Sequence, residues 1–141
     1  MNRLLRAMAV MTAGTLVACS SAAPPAPANV HVGPFPKARG AAPARPNGAA
    51  PAIQRIWFNS LDVRRGGVWE GQIDTSTNVA SVEVRNNLFS INAQRSDYGH
   101  FAFTVDVLDL PPIFIRGYDL RVIARNSAGA ETEEDLPFQI R

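Results

Sequence analysis

The stretch HFAFTVDV, residues 100–107, alternates strictly between two kinds of side chain. Large apolar side chains occupy every second position, starting at Phe101, and smaller or polar ones lie between them. Successive side chains of a β-strand point to opposite faces, so this pattern predicts a strand with one buried face. Because it is the clearest alternation in the chain, we expect it to be a central strand.

Six further runs alternate in the same way on either side of it. They cover residues 53–59, 68–75, 80–85, 88–93 and 118–125, and a last run has Leu136, Phe138 and Ile140 on one face. Turn-forming residues such as Asn86 and Asn87 separate the runs. Short strands at regular spacing without helical periodicity predict a seven-stranded antiparallel β-sandwich.

Individual positions in these runs carry further expectations. Trp69 is expected to be the core aromatic, and Ala80, Val82 and Val84 are expected to point inward. Pro137 cannot donate a ladder hydrogen bond, which places its strand at a sheet edge or at a bulge.

Two longer segments resemble known β-sandwich families. YDLRVIARNSAGAETEE, residues 118–134, resembles the penultimate strand, turn and final strand of fibronectin type III and bacterial immunoglobulin-like domains. VASVEVRNNLFSINAQRSDYGHFAFTVDV, residues 79–107, is similar to the middle strands of bacterial immunoglobulin-like modules. The likeness covers residues 53–141 and implies an Ig-like architecture without the paired cysteines of antibody domains. It also implies that the Tyr118 hydroxyl bonds to the backbone of the corner at residues 110–116.

Residues 1–18 have the layout of an export signal. A basic head with Arg3 and Arg6 precedes an apolar run over 7–18, which is too short for a permanent membrane span. The following LVAC, residues 16–19, resembles the bacterial lipobox, which implies cleavage before Cys19 and a diacylglyceryl group on its thiol. The alternative is ordinary signal-peptidase cleavage after Ala23, which would remove Cys19 with the signal.

Residues 19–52 have the composition of a linker. Eight of the eleven prolines and no acidic residue lie here, so the segment is predicted to be a disordered Ala/Pro-rich tether before a domain at 53–141. At about 3.1 Å per residue its upper reach would be on the order of 100 Å. Five of the fourteen basic residues precede residue 53 and all twelve acidic ones follow it, so the domain carries 9 − 12 = −3. This balance argues against a nucleic-acid partner.

The domain offers little chemistry. Its only histidine is His100, it has no cysteine and no GxSxG motif, and nucleophilic catalysis needs a base beside a nucleophile. The acidic run at 131–135 alternates with residues of the opposite face, which is typical of a solvated edge rather than a metal site. We therefore expect a non-catalytic protein without a cofactor or metal.

Two groups of residues are candidates for a binding surface. Alternation turns Trp57 outward beside Arg55, and tryptophan and arginine are enriched in interface hot spots, but burial of Trp57 in a strand crossing between the sheets is the favoured interpretation. In LPPIFI, residues 110–115, Ile113 and Phe114 either contact a partner or cap the sandwich.

These observations together predict a lipoprotein of the cell envelope. Membrane lipid would hold it through Cys19 on the extracytoplasmic side, and the Ig-like domain would serve protein binding or assembly with an unidentified envelope protein. The alternative is a cell-wall or carbohydrate-binding module, in which Trp57 would face glycan. Fold alone does not decide between them.

Overall fold

The computed structural model describes residues 26–141, so the signal and Cys19 lie outside the described residues. These residues form nine strands and one short 3₁₀ turn, Pro112–Phe114. The strands are β1 (Val30–Val32), β2 (Ile53–Phe58), β3 (Asp62–Val63), β4 (Val68–Thr75), β5 (Val79–Arg85), β6 (Ser90–Asp97), β7 (His100–Asp106), β8 (Gly117–Asn126) and β9 (Glu131–Ile140). No helix in this part of the chain is long and apolar enough to cross a membrane.

The strands form a β-sandwich whose two layers are joined through β6. The first part of β6 pairs with β5, and its last part pairs with β7. The strand order is therefore continuous, β1-β2-β4-β7-β6-β5-β8-β9-β3. We call the layer from β1 to β7 sheet A and the layer from β5 to β3 sheet B. The expected all-β sandwich is confirmed, and β7 is central because it lies between β4 and β6.

The strand count is nine rather than the expected seven. The two additional strands, β1 and β3, run parallel to β2 and β9, whereas the seven longer strands pair antiparallel with one another. A strand of two or three residues is too short to show alternation, so the sequence pattern did not reveal them. Pro137 lies beyond the two-residue pairing with β3, on the open edge of β9.

An aromatic cluster fills the core around Trp69. The Trp69 ring centre lies 4.8 Å from that of Phe103, 4.9 Å from Phe138 and 5.4 Å from Phe58. Its Nε1–H donates to the Ser60 carbonyl at 2.9 Å, which satisfies the one polar group of the ring. Trp69 is thus the core aromatic, as predicted.

A bulge shifts the inward residues at the start of β5. Pairing with β8 changes register between Val79 and Ser81, so Val79 is buried and Ala80 is exposed. The expectation that Ala80 points inward was wrong, because one extra residue reverses the faces on one side of a bulge. Val82 and Val84 point into the core as expected.

Tyr118 forms the corner that the sandwich resemblance implied. The side chain is buried, and its hydroxyl donates to the Phe114 carbonyl at 2.9 Å. This bond ties the start of β8 to the 3₁₀ turn before it. The prediction of a hydrogen bond from Tyr118 to the corner at 110–116 is confirmed.

Residues 26–52, here called the docked segment, pack along the sandwich. Besides β1, they supply carbonyls to side chains of the sandwich: the buried Asn78 amide donates to Ala49 at 2.8 Å, and the half-buried Thr132 hydroxyl donates to Pro51 at 2.7 Å. The Asn126 amide also donates to Ala49, at 2.8 Å. Over residues 26–52 the structure therefore has packed contacts where the composition of 19–52 predicted a disordered linker, and residues 19–25 lie outside the described residues. The segment lacks a core of its own, but its backbone satisfies polar groups that would otherwise be buried without partners.

Candidate binding surfaces

A first candidate surface, the aromatic–arginine patch, consists of His31, Arg55 and Trp57. Trp57 alternates with the fully buried Ile56 and Phe58, which places it on the outer face of sheet A, where it is half-buried. The His31 ring on β1 stacks against the Trp57 ring with 4.7 Å between centres. The Arg55 guanidinium lies 5.1 Å from the Trp57 ring centre.

Trp57 is neither fully buried nor fully open to contact, so neither interpretation of it is correct as it stands. The side chain is not in the core, and its ring is not a bare platform, because β1 of the docked segment supplies a stacking partner. Arg55 keeps 45% of its side chain exposed while its Nη2 lies 3.3 Å from Oδ2 of Asp74. The result is a rigid aromatic edge beside an accessible cation.

Sequence reasoning missed the Asp74 cluster, which consists of Arg39, Arg55, Asp74 and His100. Asp74 is 4% exposed, and its Oδ1 accepts a hydrogen bond from Arg39 Nε at 2.6 Å and lies 2.9 Å from His100 Nδ1. Arg39 Nη2 also donates to the Ile73 carbonyl at 2.7 Å. Ionic and backbone contacts thus fasten the docked segment to sheet A.

The cluster accounts for His100, the one histidine of the predicted domain. Its ring packs beside Asp74 on the outer face of sheet A, under the docked segment. In the described part of the chain that carboxylate is the only side-chain partner of the His100 ring, and no hydroxyl or thiol nucleophile bonds to the ring. The Asp74 cluster is thus a set of paired charges and does not place a nucleophile beside a base.

A second candidate surface, the apolar end, lies at one end of the sandwich. It consists of five exposed side chains: Val68, Leu88, Leu108, Ile113 and Ile115. Leu108 and Ile113 are the most exposed of them, at 73% and 77%. Val68 begins β4, Leu88 lies in the turn between β5 and β6, and the other three lie in the loop between β7 and β8. The start of β4, the end of β7 and the start of β8 meet at this end of the sandwich.

The structure separates the two residues singled out in the LPPIFI corner. Ile113 points to solvent, whereas Phe114 is half-buried. Phe114 lines an apolar cavity of about 340 Å³ at this end, and the core residues Trp69 and Phe138 line it as well. Phe114 thus caps the sandwich, and Ile113 is available for contact.

Ion pairs occupy the acidic run on β9. Arg121 Nε lies 2.8 Å from Asp135, and Arg125 bridges Glu131 at 2.9 Å and Glu83 at 2.7 Å. The hydrogen bonds from Arg125 and then Ser90 lower the pKa of Glu83. Across residues 26–141, no group of three His, Cys, Asp or Glu side chains is placed to hold a metal ion.

No protein-family model and no curated protein matches the chain. Among solved structures, it is similar to the fibronectin(III)-like modules of CbhA from Clostridium thermocellum, with a TM-score of 0.43, 16% identity, and coverage of 60% of this chain and 93% of that one. It is also similar to a superoxide reductase (neelaredoxin) from Ignicoccus hospitalis, with a TM-score of 0.39, 10% identity, and coverage of 66% and 81%. Murine CRIg gives a TM-score of 0.33 at 11% identity, covering 66% and 98%. At such scores these likenesses carry no functional meaning, and the strand pairing itself defines the β-sandwich.

Proposed function

We propose that the protein is a membrane-anchored, non-catalytic lipoprotein of the cell envelope whose Ig-like β-sandwich serves protein binding or assembly. The anchor is the lipid on Cys19, implied by the LVAC motif. The described residues present ion pairs, a packed core and exposed contact surfaces rather than a nucleophile with its base. Binding is the role that such an arrangement supports best.

The aromatic–arginine patch is the observation that carries this proposal. Trp57 is held in one orientation by His31 and the sheet, so little side-chain entropy is lost when a partner covers it. Arg55 beside it offers a planar cation for a carboxylate or a backbone carbonyl. A preorganised aromatic next to an accessible arginine is typical of protein interfaces.

The patch favours protein over glycan as the partner. A sugar ring stacks on an open aromatic face, and Trp57 already has His31 and Arg55 as neighbours of its ring. Binding of isolated cell-wall glycan that depends on Trp57 would contradict the protein-binding proposal and support the carbohydrate alternative.

We expect Arg55→Ala and Trp57→Ala to weaken retention of the envelope partner by roughly 2 kcal/mol each, the scale of an interface hot spot. The partner would be identified by crosslinking in the intact envelope and then titrated against purified protein. Arg55 is exposed and its ion pair with Asp74 is peripheral, so its loss should cost stability only about 0–1 kcal/mol.

The chain offers a matched control for this experiment. Tyr98 and Arg95 form another exposed aromatic and arginine pair, 5.9 Å apart, in the β6–β7 hairpin. Tyr98→Ala should leave partner retention unchanged. If Tyr98→Ala and Trp57→Ala weaken binding equally, the patch is not the interface.

Cys19→Ser is expected to move the protein from the membrane fraction to the soluble fraction. Each buried methylene contributes about 0.8 kcal/mol, so losing both acyl chains of a diacylglyceryl group removes stable anchoring. Fractionation followed by mass spectrometry of the N-terminal peptide measures this directly. A Ser20→Ala variant is the control. A Cys19→Ser protein that stays membrane-bound would exclude lipid on Cys19 as the anchor.

A further inference from the structure

The exposed large apolar side chains of the described residues are unevenly distributed. Of the seven, the five that form the apolar end lie on loops or at a strand start at a single end of the sandwich. Val32 lies next to that end, and Tyr98 alone lies at the opposite end. Soluble proteins rarely expose many aliphatic side chains in one place. This concentration therefore indicates contact with an apolar phase or partner.

The described chain begins along a groove that extends to this end of the sandwich. Pro27 lines a groove of about 740 Å³ together with Val32, Leu61 and Gly117. Leu61 immediately precedes β3, and Gly117 begins β8, directly after the loop that carries Ile113. The docked segment therefore does not act as a long spacer, because it enters the sandwich at its first described residues.

This arrangement limits the distance between the anchor and the domain. Cys19 and Ala26 are separated by seven residue steps, and a fully extended chain spans at most about 3.6 Å per step, or roughly 25 Å. The maximum distance between the anchor and the domain is therefore about a quarter of the roughly 100 Å that the composition predicted. An acylated Cys19 would hold the domain close to the lipid headgroups, and the apolar end carries five of its seven exposed large apolar side chains.

We propose that the apolar end rests on the membrane surface, with Leu108 and Ile113 inserted into the interface between headgroups and acyl chains. This rests on the proposed lipid anchor at Cys19. Side chains that project from loops by most of their length, as these two do, can enter an interface without rearrangement of the sandwich. Contact of the domain with the bilayer would add to the anchoring by the acyl chains.

The charges at this end indicate how the contact is made. Charges of both signs lie at this end and two of the pairs are bridged, Arg65 with Asp109 and Arg141 with Asp62, so neither sign dominates. The other charged residues here are Arg64, Arg116 and Asp106. Attraction to anionic lipid is consequently small, and burial of aliphatic side chains supplies the contact. We expect the same contact on zwitterionic and anionic bilayers and little dependence on salt.

An environment-sensitive fluorophore tests this orientation in the full-length acylated protein reconstituted into phosphatidylcholine vesicles. With Cys19 acylated, Ile113→Cys and Tyr98→Cys each provide a single free thiol for labelling, because the chain has no other cysteine. The probe at 113 should shift its emission to the blue and lose most of its quenching by aqueous iodide. The probe at 98 should remain fully quenched.

The outcomes separate the failure of this inference from the failure of the anchor. If the protein does not float with vesicles and its N-terminal peptide carries no acyl mass, the anchor is wrong. If it floats but both probes are quenched equally, the anchor holds and the bilayer contact is wrong. Shielding at 113 that appears only with envelope proteins present would assign this end to a protein partner and overturn the inference. Leu108→Ser should reduce the shielding at 113 while the unfolding temperature is retained.

Discussion

Trp69→Ala should lower the free energy of unfolding by about 3 to 5 kcal/mol, the range for truncating a large buried aromatic. The substitution removes the centre of the cluster formed with Phe58, Phe103 and Phe138, and leaves the Ser60 carbonyl without its indole donor. The loss is expected near the upper part of the range because the rings come from both sheets and cannot collapse together. Urea unfolding followed by circular dichroism measures it.

The control for this variant is Trp57→Ala. Both tryptophans lie on paired strands of sheet A, but Trp57 is half-buried on the outer face. Its replacement should cost markedly less stability than that of Trp69. Equal losses would show that Trp57 belongs to the structural core, and the aromatic–arginine patch would then lose its standing as a binding surface.

Asp74→Ala should destabilise the protein by about 3 to 5 kcal/mol, the cost of leaving a buried charge without its partner. Arg39 would keep its position under the docked segment with 16% of its side chain exposed but with no carboxylate opposite it. The docked segment should then become sensitive to protease around residues 33–43, which follow β1 and contain Arg39.

An exposed aspartate provides the matched control. Asp119 lies on β8 without an ion pair among the described residues, so Asp119→Ala should change stability little. Combining Asp74→Ala with Arg39→Ala should cost less than the sum of the two single changes, because the second removes the stranded cation. Strict additivity would show that Arg39 and Asp74 do not act as a pair.

Alternation made the fold predictable because one face of each long strand is buried and the other is not. In β7 and β8 nearly every inward residue could be named in advance, since a one-residue slip would exchange the faces. The same rule failed at Ala80, because a bulge there exchanges the inward and outward positions and no residue type in the sequence indicates the bulge. β1 and β3 were not predictable because they are too short to show alternation and are defined only by their pairing with β2 and β9.

The contacts of the docked segment were beyond composition-based reasoning for a physical reason. Low apolar content predicts disorder when a segment must bury itself. Here the segment supplies carbonyls to Asn78 and Asn126 and a guanidinium to Asp74, all of which lie on the sandwich. Asp74 lies at an outward-facing position of β4, where the docked segment covers it. Trp57 and Ile113 could be proposed as surface residues from the sequence, but their neighbours could not.

The contacts of the docked segment also determine the order in which the molecule can be completed. Asn29 bonds to Glu134, 105 residues further along, and Pro51 bonds to Thr132, 81 residues further along. Synthesis proceeds from the N-terminus, so these two contacts must wait until β9 has been made, although the contacts of the segment with β2 and β4 can form earlier. Closing such distant contacts is slow because a long loop must be ordered before they form. The docked segment, which is synthesised before the long strands, is therefore among the last parts to gain its full set of native contacts.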